Sequence, residues 1–367
     1  MYSNDNRIVV TLDAGGTNFD FNAIQGNQII GKTVNKEPNG ADLGLCVKAM
    51  IEGFSEVIAQ LEEKPVAISF AFPGPADYPN GIIGGFLPNF PSFRDGVALG
   101  LLLEKHFGIP VFINNDADLF VYGEALAGAL PEVNERLEKL GSAKKYRNLI
   151  GFTWGTGFGF GFTVNGEMHI GDNSCVEVFC LPYKRNSEVI VEEGVSARAI
   201  GRVYGELTGN TSHGLTPKEI FNIAEGTTEG NKEAAIKAFA EFGEIVGDVI
   251  TNVVTLIDGL VVIGGGLTKA HKYIMPSLFN VLRSKMKTLN GETLNRLQFS
   301  VYDLDDENQF AEFAKGESRK IQVYGYEDSV TYDPQKRNGI IISKLGANKA
   351  VALGAYAFAL NEIDCKR

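Results

Sequence analysis

Cysteine is scarce and scattered in this 367-residue chain. The four present, Cys46, Cys175, Cys180 and Cys365, form no CxxC pair and lack the density of a disulfide framework. Reduced thiols of this kind point to a cytoplasmic protein. Residues 1–7 are polar and carry no apolar core, so no secretory leader is expected. No stretch reaches the roughly 18 apolar residues that would span a bilayer, so no membrane partner is expected. Positive charge is also in deficit, with a formal net charge of −11. Phosphate backbones are gripped by clustered Lys and Arg, which argues against nucleic acid as a partner. The deficit does not forbid a mononucleotide, because a few local amides and a metal can hold one.

What is present is an ordinary globular balance, 44% apolar and 22% charged, on a chain long enough for two domains. Residues 7–12, 19–24 and 28–34 read as an antiparallel meander. Apolar positions at helical spacing over 43–61 predict an amphipathic helix. Short buried strands are expected at 65–72 and 109–113, helices at 97–107 and 119–130, and a second strand system from Leu149. Helices follow at 216–223 and 232–257, a buried strand at 260–263, and an Ala-rich helix at 346–360. Residues 130–147 read as a charged surface excursion and about 299–343 as an added sheet element. A strand-hairpin-helix unit thus occurs twice, and two such α/β halves would place ligands at strand ends and glycine turns.

The 43 glycines cluster in three places. In Asp13-Ala-Gly-Gly-Thr-Asn18, Gly15 and Gly16 allow close backbone approach. The amides, Thr17 and Asn18 could donate to phosphate, and Asp13 could hold Mg²⁺ through water. A plain hairpin with an Asx turn explains the same residues equally well. Gly155, Gly157, Gly159 and Gly161 alternate, leaving one strand face as bare backbone, which needs a reason. A second phosphate cradle with Thr156 as donor is one reason, and close packing of an aromatic is the other. Gly264, Gly265 and Gly266 follow a buried strand and could let an adenosine lie on backbone, or could mark only a tight turn. Asp116, after a buried strand and at a helix start, is either an N-cap or a general base.

These segments occur in one order together with the Ala350–Ala355 helix, and they resemble the nucleotide-binding set of the actin/hexokinase-like superfamily. The likeness sharpens to the ROK family of sugar kinases and sugar-responsive repressors. Pro73-Gly74-Pro75 resembles that family's PGP turn. Leu87-Pro88-Asn89-Phe90 with Phe93-Arg94 resembles its PNL..WR segment, and Phe107 to Asp118 its FGxPVxxENDAN segment. The resemblance implies an α/β fold of two actin-like (ribonuclease H-like) domains with an interdomain cleft. It implies residues 1–118, completed by 350–367, as the small domain and 119–349 as the large one. It also implies an ATP- and Mg²⁺-dependent, glucokinase-like transfer to a hexose, at the C6 hydroxyl. Asp116 would be the base, and Gly74, Asn89, Asn115, Glu177 and Glu192 would bind the sugar. For Glu192 the residues alone favour a solvated helix-start pair with Glu193. A homodimer is common among such relatives.

The family's E-x-G-H reads here as Glu177-Val-Phe-Cys180, and its zinc-binding C-x-C-G-x-x-G-C is replaced by Pro182–Ile190 without cysteine. Cys175 and Cys180 alone cannot close a tetrahedral site, and nothing in the spacing of His169 or His213 recruits them. No zinc is therefore expected, and packing must hold the 182–190 segment. The altered region puts the sugar's identity in question, with fructose, mannose, allose and N-acetylhexosamines as alternatives to glucose. A sugar sensor that has lost catalysis is a rival reading, against which stand Asp116 and the two phosphate turns. A repressor is disfavoured, since only twelve residues precede Asp13 and the chain is acidic. An actin-like ATPase would not need the sugar-binding set.

Overall fold

The computed structural model describes residues 2–14, 18–74, 76–210 and 214–365. The chain divides into two compact units, one of residues 1–131, 161–176 and 344–367 and one of 132–160 and 177–343. The first unit therefore takes in 119–131, 161–176 and 344–349, which the sequence reading gave to the large domain.

The first unit opens with strands Val9–Ala14 (β1), Phe19–Gln25 (β2) and Gln28–Lys36 (β3) as an antiparallel meander. Helix Leu43–Ile58 (α1) follows, its N-terminus capped by Asp42, which accepts from the Leu45 N–H at 3.0 Å. Strand Ala67–Ala71 (β4), helix Leu99–Phe107 (α2), strand Val111–Asn114 (β5) and helix Asp116–Ala127 (α3) complete this stretch. The sheet order is β3-β2-β1-β4-β5, with β1, β4 and β5 parallel. All of β4 is buried, as expected of a strand covered on both faces. One face carries Val10, Leu12, Phe21 and Phe70 toward an aromatic core with Phe54, Phe72 and Phe90. The other carries Val9 and Ala67 toward Tyr356 and Leu360 of the C-terminal helix.

The chain continues through helix Ala129–Lys139 (α4), strands Leu149–Trp154 (β6), Phe158–Val164 (β7) and Glu167–Met168 (β8), and a hairpin of Pro182–Tyr183 (β9) and Asn186–Ile190 (β10). Helices Ala197–Thr208 (α5), Pro217–Glu225 (α6) and Lys232–Leu256 (α7) lead to strand Leu260–Gly264 (β11) and helix His271–Leu282 (α8). Then come hairpin Lys285–Lys287 (β12) and Thr293–Asn295 (β13), strand Ser300–Asp303 (β14) and helix Glu307–Lys315 (α9). Hairpin Arg319–Gln322 (β15) and Ser329–Tyr332 (β16), strand Arg337–Ile342 (β17) and helix Ala347–Cys365 (α10) close the chain. The second sheet has the order β14-β17-β11-β6-β7-β8, and its first four strands run parallel.

Residues 299–343 are thus only in part an addition. Strands β14 and β17 are members of the main sheet, while α9 and the β15–β16 hairpin are extra. Nor is 130–147 a loose excursion. Val133 and Leu137 are fully buried. Arg136 lies 3.6 Å from the centre of the Phe310 ring and donates to the Leu304 carbonyl at 3.0 Å. Tyr146 donates to the Arg337 carbonyl at 2.7 Å and stacks on Phe313. The two segments are each other's packing partners. Among the described residues, no helix is long and apolar enough to cross a membrane.

Candidate functional site

Strand β5 ends at Asn114 and the chain turns directly into α3. Asn115 is the N-cap, with extended backbone, and its Oδ1 accepts from the Ala117 N–H at 2.8 Å. Asp116 is therefore not the cap but the first helical residue, and its Oδ1 accepts from the same N–H at 2.9 Å. Asp116 is an exposed residue. Protein atoms nonetheless crowd it, and this desolvation raises its pKa above the ordinary aspartate range, against the lowering pull of the Ala117 and Asp116 N–H groups. Asp118, one residue further along than Ala117, is buried in the first unit.

Two close approaches fix α3. A Cβ at Gly161 would lie 2.8 Å from the Ala117 carbonyl oxygen and 3.0 Å from the Asp118 Cα. This last glycine of the alternating run thus serves backbone packing under the turn that presents Asp116, not an aromatic ring. On the same helix, a Cβ at Gly123 would overlap the Ala350 carbonyl, and one at Gly354 the Leu119 carbonyl. Helices α3 and α10 therefore touch backbone to backbone.

Asp13 lies near the end of β1, in register with Asp20 of β2. It is half-buried, and its pKa is raised by burial first and then by the charges of Asp20 and Asp116. Asn18 donates its side-chain amide to the Asp20 carboxylate, which also receives the Asn35 amide at 2.5 Å. Gly15, Gly16 and Thr17 lie outside the described residues, as does Pro75. Gly74 has a packing reason for being glycine, since a Cβ there would overlap the Tyr78 hydroxyl, which donates to the Phe72 carbonyl at 2.9 Å. Asn89 is exposed on a loop pinned by its neighbour Phe90, whose ring stacks on Phe19 at 5.9 Å and meets Phe72 at 4.8 Å.

In the second unit the glycine run is not one strand. Residues 155–157 form a turn, and β7 begins only at Phe158. The Gly155 carbonyl accepts from the Ala197 N–H at 2.9 Å, tying the turn to the start of α5. Glu192 braces its other end: Oε2 accepts from the Phe158 N–H at 3.1 Å, and Oε1 pairs with Arg198 at 2.9 Å. Glu192 is thus not a freely solvated charge. Thr156 is exposed at the tip. A Cβ on Gly155 would meet nothing within 4 Å, and the same holds for Gly266. Neither has a positive φ, so both present backbone to open space for no packing or conformational reason. Gly265 is different: its φ is +94° and a Cβ would overlap the Trp154 backbone, so geometry requires it. Gly264 ends β11 in the core. Glu177 is half-buried just before the buried Val178.

The 182–190 segment, where the family resemblance would put zinc ligands, is the β9–β10 hairpin. Buried Tyr183 packs on Gly194, where a Cβ would come within 2.6 Å of its ring. Arg185 pairs with Glu241, and Lys184 lies 3.7 Å from Asp248, both partners on α7. Cys175 and Cys180 are exposed free thiols. Among the described residues no group of three or more His, Cys, Asp or Glu is placed to hold a metal ion. The sequence reading missed Asp20 and Arg198. The first was available from the meander's register, which sets Asp20 opposite Asp13. The second had only its charge near Glu192 and Glu193 as a signal.

The ROK family profile matches residues 9–301 of the chain. A crystal structure of a glucokinase from Parabacteroides distasonis is 56% identical over 98% of this chain and 99% of that one, with a TM-score of 0.90. A glucokinase of Thermotoga maritima is 26% identical over 76% of this chain and 86% of its own length. An N-acetylgalactosamine kinase of a Shewanella species is 23% identical over 72% and 83%. The actin-like α/β fold, the motif order and these likenesses agree: this chain belongs to the ROK family.

Proposed function

We propose that this protein is an ATP-dependent hexose kinase, glucokinase-like, that phosphorylates the C6 hydroxyl with Asp116 as general base. The observation that carries the reading is Asp116 itself, an exposed acidic residue on the first turn of α3, its carboxylate held by the Ala117 N–H, with desolvation by surrounding protein raising its pKa. Phosphoryl transfer is mainly positioning and charge stabilisation, with one carboxylate taking the acceptor proton. The identity of 56% to a glucokinase along nearly the whole chain supports the same reading.

In this account the sugar oxygen bonds to the γ-phosphorus, and the bond from that phosphorus to the bridging oxygen breaks. ADP leaves with the electron pair, and the hydroxyl proton passes to Asp116. Gly74, Asn89, Asn115, Glu177 and Glu192 are assigned to the sugar. Carboxylates and amides suit hydroxyls because they offer fixed acceptor and donor directions. Asp13, Gly15, Gly16, Thr17, Asn18, Gly155, Thr156, Gly157 and Gly264–Gly266 are assigned to the nucleotide. The open backbone at Gly155 and Gly266 is what a ligand approaching main chain requires. Asp13, with Asp20 and Asp116 adding negative charge nearby, fits a hard cation. Mg²⁺ held there through water would neutralise charge on the phosphates.

The test is ADP release with Mg²⁺ATP across glucose, fructose, mannose, allose and N-acetylhexosamines. Glucose-dependent release at the highest kcat/KM supports the proposal. Preference for another sugar moves the substrate but keeps the chemistry. Sugar binding without release on any of them favours the catalytically silent sensor.

A further inference from the structure

A cavity of about 550 Å³ runs along the edge of the first unit's sheet, within the range of about 300–1,000 Å³ common to small-molecule sites. Every residue that lines it belongs to that unit, and neither Asn115 nor Asp116 is among them. Strand β5 is the last of its sheet. The Ile68 N–H donates to the Pro110 carbonyl and the Phe72 N–H to the Asn114 carbonyl, both at 2.9 Å, so residues 110, 112 and 114 turn their backbone toward β4. Val111 and Ile113 turn theirs outward. Their side chains lie in the aromatic core, so main chain is what they show the cavity. Glu104 of α2 accepts from the Val111 N–H at 3.1 Å. From α10, Phe358 meets Phe112 edge to face at 6.0 Å, and Glu362 follows one helical turn on. The wall is preformed. The Gly100 N–H donates to the Gly81 carbonyl at 2.9 Å, and a Cβ on either glycine would come within 3.1 Å of the other's Cα.

Asn114 points to an occupant. It is 2% exposed and lines the cavity, yet its amide Nδ2 has no hydrogen-bond partner among the described residues. A buried donor left unpaired costs stability, and a ligand oxygen would complete it. The rest of the lining says which ligand. Glu104, Glu362 and the outward carbonyls accept, while the Asn114 amide and the Ile113 N–H donate. Among the described residues no Lys, Arg or His lines the cavity. An anion would face two carboxylates with no cation to pair with. An ammonium ion brings donors only and would leave the Asn114 amide unmet. A hydroxyl donates and accepts at once, and the Phe112–Phe358 pair offers apolar surface to the C–H face of a ring. We propose that this cavity is a second binding site, away from the Asp116 turn, for a neutral monosaccharide.

Calorimetric titration of the full chain without nucleotide tests it, with glucose, mannose, fructose and N-acetylglucosamine as the probes. Leu101→Trp, at a position 50% exposed on the cavity lining, fills the space with little demand on the core. Asn114→Leu deletes the amide at similar volume, and because the lost donor is unpaired the variant should melt close to wild type. At least one of the sugars should bind wild type at a site that Leu101→Trp abolishes, that Asn114→Leu weakens about tenfold, and that Glu192→Ala leaves intact. Sugar binding that both cavity variants leave unchanged, or no binding of any of the four, would overturn the proposal. The site does not rest on the kinase assignment. Binding lost only in Glu192→Ala would sink the cavity and spare that assignment, whereas binding lost only in the cavity variants would support the cavity and leave Glu192 without its sugar.

Discussion

Gly354→Ala sets two physical terms against each other. Within a helix, replacing glycine by alanine should stabilise by up to about 1 kcal/mol. At Gly354 the added methyl would overlap the Leu119 carbonyl oxygen and lie 2.8 Å from its carbon and 3.1 Å from the Gly123 nitrogen. No rotamer relieves this, because the neighbours are backbone. Helices α3 and α10 must move apart by roughly 1 Å, and overpacking of this kind costs about 1–3 kcal/mol or more. Packing therefore exceeds propensity, and the net loss should be about 1–2 kcal/mol, a fall of roughly 2–8 °C in the first thermal transition. The displaced helix begins with Asp116, and a shift on the order of 1 Å can cost about a hundredfold in turnover. Scanning fluorimetry and steady-state ADP release read the two effects. A raised melting temperature with unchanged kcat would refute the close-packing account and leave propensity in charge.

Asp116→Asn should be more heat-stable than wild type at neutral pH. The folded pKa of Asp116 is raised, so the stability this group contributes is fully present below its unfolded value and is lost as pH rises through the folded one. The melting advantage of the variant should therefore grow from acidic pH through that window and then level off, and a constant difference would count against the desolvated carboxylate. Tyr183→Ala should destabilise by about 3 kcal/mol as its ring leaves the face of Gly194, while a chelator leaves the melting temperature of wild type unchanged. A chelator-induced fall would reveal a structural metal. Arg136→Ala loses the Phe310 ring and the Leu304 carbonyl together and should cost about 2 kcal/mol in denaturant titration; a neutral result would return 130–147 to the status of surface decoration.

The sequence carried the first unit well because its signals were local. The meander shows alternation, α1 shows helical spacing behind Asp42, and the Asn114–Asp118 corner follows a short apolar strand. The second unit was harder where the signal was tertiary. Helix α8 holds Pro276 in its interior, which reads as a break. Strands β14 and β17 looked like part of an added sheet because only the parallel pairing of β17 with β11, and of β14 with β17, reveals them as main-sheet members. Helix α4 seemed peripheral since Val133 and Leu137, the buried residues of its charged stretch, sit beside Arg136, whose partners Leu304, Glu307 and Phe310 lie far along the chain. The glycine run was legible as unusual but not as divided labour. Gly155 is open, a Cβ on Gly157 would come within 3.1 Å of the Glu192 carboxylate, and Gly161 makes room for α3, and no alternation pattern separates those roles. For the candidate site, residue types were readable, but Glu192's bond to the Phe158 N–H depends on a turn from elsewhere in the chain.

The most direct test of the central claim compares wild type and Asp116→Asn in glucose affinity and in glucose-dependent ADP release. The account predicts nearly unchanged sugar binding, with kcat lowered by about two orders of magnitude or more, the scale of a lost general base. Turnover close to wild type in the variant would contradict it and remove Asp116 from the chemistry.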